Sequence, residues 1–122
     1  MQYLVPIDAE DALRAELQEH TALTVLVPPL PKELPAKSVC VTVTNGKRSD
    51  RVADMFVVSV DVRGPEIADA LEDARELAGI VSALESTELN TNPYINPDTR
   101  RPDIARVSFT ALYYARAEVK KG

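Results

Sequence analysis

Residues 55–84 read MFVVSVDVRGPEIADALEDARELAGIVSAL, and this stretch decides the fold. In its first part Phe56, Val58, Val60 and Val62 alternate with Ser59, Asp61 and Arg63, the period-two pattern of a strand buried on one face. After Gly64-Pro65 the period changes. Ile67, Leu71, Ala74, Leu77, Val81 and Leu84 recur every three or four residues, and Ala70 and Ala78 widen the stripe, so a long amphipathic helix follows the strand directly. Proline near the first turn of that helix costs no hydrogen bond, because the first helical N–H groups have no partner within the helix. A strand and a helix that each show one apolar side must share a core.

Outward from this unit, Ser38 to Thr44 forms a second strand with Val39, Val41 and Val43 on one face and Ser38, Cys40, Thr42 and Thr44 on the other. Asn45-Gly46 ends it as a turn signal, and the next strand begins near Met55. The sequence therefore predicts an antiparallel pair joined by a mobile charged arm over residues 45–54, containing Lys47, Arg48, Asp50 and Arg51. Upstream, Asp8 is the expected N-cap of a helix over residues 9–20, with Glu10 and Asp11 favoured in its first turn and Ala9, Ala12, Leu13 and Leu17 as its apolar stripe. A short strand follows at residues 24–27. Pro28, Pro29, Pro31 and Pro35 then hold the connection extended; Pro28 to Pro31 matches a PxxP pattern, but its place between two strands reads as a stiff crossover.

Downstream, residues 87–102 are punctuated by Asn92-Pro93, Asn96-Pro97-Asp98 and Arg101-Pro102, which predicts a long loop with at most a short strand at Tyr94-Ile95. The closing strand spans residues 104–117, with Val107, Phe109, Ala111, Tyr113 and Ala115 on one face. Lys120-Lys121-Gly122 reads as a frayed tail. The expected fold is α+β, a single antiparallel or mixed sheet of about four strands with two helices packed against it, in one domain over residues 1–122.

The chain has 122 residues, 14 Lys and Arg against 19 Asp and Glu, and a formal net charge of -5. That balance argues against a surface built to grip nucleic acid, whose affinity comes from cations displacing counterions along phosphates. No apolar run is long enough to cross a bilayer. The first residues lack the basic start and apolar stretch of a secretory signal, which points to the cytoplasm. Chemistry-bearing residues are sparse. His20 falls at a helix C-terminus, where its charge suits the free carbonyls; Cys40, the one cysteine, sits in a strand without a histidine near it in sequence. The glycines are isolated and cradle no phosphate. The acids Glu66, Asp69, Glu72, Asp73 and Glu76 form a solvated helix face rather than a metal site. Asp98 and Asp103 flank Arg100-Arg101 in a loop and read as solvated loop acids or a local ion pair rather than as an acid pair. These readings imply no enzyme, no cofactor and no metal.

Several features together resemble the small tail terminator proteins of long-tailed bacteriophages and prophages. They are the N-terminal helix, the proline-rich crossover, the strand Ser38 to Thr44 ending in Asn45-Gly46, and the strand from Phe56 to Arg63. To these are added the Gly64-Pro65-Glu66 helix start and Asn96-Pro97-Asp98 before a closing strand carrying Arg106. The likeness is one of element pattern over nearly the whole chain. It implies a structural virion protein that forms a ring, commonly hexameric in that family, caps the tail tube, ends its polymerisation and offers the head-tail joining surface. Its implied partners are its own copies, the tail tube protein and a head-completion protein, with DNA passing through the lumen without specific binding and with no membrane. Its implied place is the virion, and the host cytoplasm during assembly. Candidate subunit or partner contacts are Arg48, Arg51, Tyr94, Arg100 and Arg101. Two other readings stand beside it: a head-completion or other neck connector protein, and a monomeric α+β module binding a small ligand or a host protein.

Overall fold

A computed structural model describes residues 1–5, 7–48, 53–116 and 118–121. The unit read from residues 55–84 is its centre. β4 (Ala53–Gly64) pairs antiparallel on one side with β3 (Ser38–Arg48) and on the other with β7 (Ala105–Arg116) along its whole length, from Ala53↔Arg116 to Gly64↔Ala105. Val39 and Val41 of β3, Val58, Val60 and Val62 of β4, and Val107, Phe109 and Ala111 of β7 are fully buried on one face. α1 (Ala9–Gln18) and α2 (Ile67–Ala83) complete the same core through Leu13, Leu17, Ala70, Ala74, Leu77 and Val81. Each such Val, Leu or Phe contributes about 1.5–3 kcal/mol by leaving water, which is why the alternating pattern dictates the sheet's orientation.

The helix ends follow their local chemistry. The Asp8 carboxylate accepts from the Asp11 N–H at 3.2 Å, as the N-cap reading requires, and α1 stops at Gln18 rather than running to residue 20. α2 begins behind Glu66 in an extended conformation. Thr87 Oγ1 donates to the Val81 carbonyl and so finishes one of the free C-terminal carbonyls of α2, while Ser82 Oγ bonds back to the Ala78 carbonyl one turn earlier.

The α+β class holds and the sheet is mixed, one of the two expected forms, but it has six strands rather than about four. Its order is β2-β3-β4-β7-β5, with β2 (Thr24–Leu26) and β5 (Thr87–Leu89) at the edges and β6 (Tyr94–Ile95) also paired to β7. β2 and β3 run parallel, Thr24↔Ser38 to Leu26↔Cys40. Parallel neighbours require a return along the sheet, and the extended proline segment, residues 27–37, is that return. β5 occupies the start of what reads in sequence as loop, because Thr87, Glu88 and Leu89 find partners in Tyr113, Leu112 and Ala111.

Asn45 to Arg48 and Ala53 to Asp54 are ladder residues, paired from Asn45↔Val57 to Arg48↔Asp54. The arm is therefore hairpin, and its remaining residues 49–52 lie outside the described residues. Asn45-Gly46 does not turn the chain: the register slips between Val43 and Asn45, a β-bulge that absorbs the extra residue. Glycine is needed beyond the bulge because a Cβ at Gly46 would stand 2.9 Å from Phe56 Cδ1. At the other extremity β8 (Glu118–Lys121) is a strand and not a frayed tail. It pairs antiparallel with β1 (Gln2–Val5) in a two-stranded sheet of its own.

α1 also guards one border of the sheet. β2 covers only Ser38 to Cys40 of β3, and the next outward amide, Val43 N–H, donates to Glu10 Oε2 at 2.8 Å. On β2 itself the Gln18 amide bridges the border: its Oε1 accepts from Val25 N–H at 3.0 Å and its Nε2 donates to Leu23 O at 2.7 Å.

Candidate functional site

The five candidate contact residues do not form one surface. Arg48 ends β3 in register with Asp54, at the hairpin end of the sheet. Arg51 lies outside the described residues. Tyr94, Arg100 and Arg101 belong to the opposite end, where β4 finishes and β7 begins. β4 places roughly 36 Å between the two ends at about 3.3 Å per residue. Tyr94 is exposed on β6. Arg100 is exposed and gives its backbone N–H to Asp98 Oδ1 at 3.0 Å. The guanidinium of Arg101 points back into the molecule and donates to the carbonyls of Pro31 and Lys32, both at 3.4 Å, tying the loop to the proline crossover.

The second end of the sheet is organised by a polar network on the face away from the helices. Arg63 and Arg106 are ladder partners. Both guanidinium groups reach Asp98 Oδ2, Arg63 at 3.2 Å and Arg106 at 3.7 Å. Arg63 is 4% exposed, so this is a buried cation whose carboxylate partner is shared with its neighbour. Arg106 also donates to the carbonyls of Asn96, at 2.7 Å, and Pro97, at 3.3 Å. Asn96 Nδ2 donates to Ser108 Oγ at 3.1 Å, and that hydroxyl donates to Asp61 Oδ1 at 2.6 Å. The turn Asn96-Pro97-Asp98 is thereby bolted across β4 and β7. The Arg100 N–H, then the two guanidinium groups, hold the Asp98 carboxyl below its ordinary value of 3.8, against the opposing effect of its burial.

Sequence reading places Asp98 in a local pair with its neighbours, whereas its carboxylate reaches Arg63, far upstream on β4, and Arg106, in the strand that follows. The signal available for Arg63 was its place on the polar face of a strand, which marks exposure in the absence of a covering loop. Asp103, the other acid of the pair read from the sequence, is exposed and lines a groove.

That groove, about 240 Å³, opens between the start of α2, β6 and the loop before β7. Pro65, Ile67, Ile95, Pro102 and Ile104 form its apolar lining, with Glu66 and Asp103 as acids and the already engaged Arg106 as cation. Ile67 and Ile95 are 47% and 52% exposed, and both line this one groove.

Cys40 is buried on β3, its Sγ 3.8 Å from Thr42 Oγ1, and burial raises its thiol above the ordinary 9.0. Of the acids on this helix face Glu66, Glu72 and Glu76 are exposed, while Asp69 and Asp73 are half-buried, Asp73 standing 3.7 Å from Lys37 Nζ. Among the described residues no three His, Cys, Asp or Glu side chains converge as a metal site. Among the same residues no helix is long and apolar enough to cross a membrane. No protein-family model matches the chain, and comparison with curated proteins gives no match.

Proposed function

We propose that this chain is a structural virion protein of a long-tailed phage or prophage that caps the tail tube, ends its polymerisation and provides the head-tail joining surface. The observation that carries the reading is the Asn96-Pro97-Asp98 turn held to the closing strand by Arg106. Two separate sequence features of the resemblance are here one rigid unit. The order around it, a helix, a proline crossover, a long hairpin and a Gly-Pro helix start, supports the same reading.

Capping in this scheme is surface complementarity. Copies of the chain form a ring, taken as a hexamer from the resemblance, and one face of the ring matches the end of the tube while the other does not reproduce it. The second face then meets a head-completion protein. A net charge of -5 suits a ring through which DNA slides, since acidic walls hold no phosphates. The protein acts in the virion and, during assembly, in the host cytoplasm, without catalysis or cofactor.

The test is tail length. Tube protein polymerised with this chain is expected to stop at a defined length in negative-stain images, and particles made without it are expected to carry overgrown tails. Normal tails beside leaky heads would transfer the chain to head completion. The groove beside Ile67 and Ile95 favours the remaining reading, a monomeric ligand-binding module, which a strict monomer with no effect on tube length would select.

A further inference from the structure

Large exposed apolar side chains cluster at two places among the described residues, leaving aside Tyr114, whose hydroxyl is bonded to Glu88. One cluster is at the groove, with Ile67 and Ile95 in its wall and Tyr94 next to Ile95 on β6. The other is the N-terminal strand, with Met1 at 90% and Tyr3 at 45% exposure. Both places also carry a free strand edge: among the described residues β6 pairs with β7 alone, and β1 with β8 alone. A ribbon of two short strands is marginal by itself in water, and an unpaired edge is a template for another strand.

The charges are complementary as well. β1 is the uncharged Gln2-Tyr3-Leu4-Val5, and its ladder sets Tyr3 opposite Lys120 and Gln2 opposite Lys121, with Glu118 opposite Val5 at the other end. The groove presents Glu66 and Asp103, with Asp69 one turn further along α2, while its cation Arg106 is held by Asp98 and two carbonyls. An apolar strand whose ladder partner carries lysines thus matches, in chemistry, an apolar groove bordered by acids. They cannot meet within one chain. β6 pairs with β7 at Val107 and Ser108, and β8 follows Arg116, so about 30 Å of strand separates them at about 3.3 Å per residue.

We infer that β1 of one copy adds to the outer edge of β6 of the next, with Tyr3 entering the groove and its ladder partner, the Lys120 position of β8, on the side of Glu66 and Asp103. The inference rests on the ring reading above and names the contact that closes the ring. Such a contact uses two different patches, so it is head-to-tail, and repetition generates a closed ring where the rotation permits. Backbone pairing supplies affinity, and the side chain in the groove sets the register.

The experiment is cysteine pairing in the full chain, with the native thiol of Cys40 shielded by its 4% exposure. Proteins carrying Tyr3→Cys and Ile95→Cys are mixed in equal amounts and mildly oxidised. The mixed disulfide is expected to exceed either homodimer at least fivefold, and the double variant is expected to give a covalent ladder ending at the ring order. Ile67→Glu, at an exposed position, is expected to weaken self-association at least tenfold with an unchanged circular dichroism spectrum. Light scattering on the parent separates the failures. An oligomer whose mixed disulfide is no more abundant than the homodimers, or whose mass Ile67→Glu leaves unaltered, overturns this contact and leaves the ring standing. A monomer at every concentration overturns both.

Discussion

Replacing Asp98 by alanine removes the carboxylate that Arg63 and Arg106 share, and the cost follows from where each partner sits. The Arg63 side chain is 5% exposed and has this carboxylate as its ion-pair partner among the described residues, whereas Arg106 is 20% exposed and retains two backbone carbonyls. Breaking a buried pair from one side costs about 3–5 kcal/mol, because a charge is left desolvated. Asp98 is itself 15% exposed and water can reach part of the vacated site, so the expected loss is about 3 kcal/mol, at the lower end of that range. Urea unfolding at pH 7 measures it. The Arg63→Met replacement in the Asp98→Ala background is expected to recover part of the loss, since it removes the stranded charge, and the cycle of four proteins should give a coupling of at least about 1.5 kcal/mol. pH supplies an independent check. The folded-state carboxyl titrates below 3.8, so its contribution is complete above that value and is lost as pH falls through the lower folded value. The gap between parent and Asp98→Ala should therefore narrow in that acid range. A loss under about 0.5 kcal/mol at pH 7, or strict additivity in the cycle, refutes the argument.

Val60→Asp places a carboxylate at a fully buried position of the central strand and is expected to leave the chain unfolded or insoluble; a cooperative thermal transition close to the parent's would contradict this. Gly79 lies in the interior of α2, and a Cβ added there would meet nothing within 4 Å, so Gly79→Ala is expected to stabilise by about 0.5–1 kcal/mol in urea titrations. Cys40 is expected to react with a thiol reagent at least a hundredfold more slowly in the native protein than in urea at pH 8, and equal rates would disprove its burial.

The sequence is legible wherever one face of an element is buried and the element is long. Val58, Val60 and Val62, then Leu77 and Val81, repeat often enough to set both period and orientation, and Asp8 signals its helix by a contact only three residues away. Short strands carry no such signal. Thr87 to Leu89 and Gln2 to Val5 show no alternation that separates them from loop, and they become strands because Tyr113 to Ala111 and Glu118 to Lys121 offer them partners. Asn45-Gly46 misleads for a related reason: the residues suited to a turn are equally suited to a bulge, and the choice depends on pairing with Val57 and Phe56 across the hairpin. The polar network is least legible of all. Arg63 and Asp98 meet because a loop folds over a face whose pattern reads as solvent-exposed, and no local pattern encodes that meeting.

Glu10 and Gln18 occupy, with side-chain oxygens and an amide, backbone sites that a further strand would use on the β2–β3 border. Among the described residues the opposite border has no such occupants at β6. Sheet growth is therefore one-sided: an incoming strand meets a plugged margin on one flank of the molecule and an open one on the other. A strand added to the main sheet would displace side-chain hydrogen bonds on the β2–β3 margin and, among the described residues, none at β6, so of these two margins β6 is the one that gives up no existing contact.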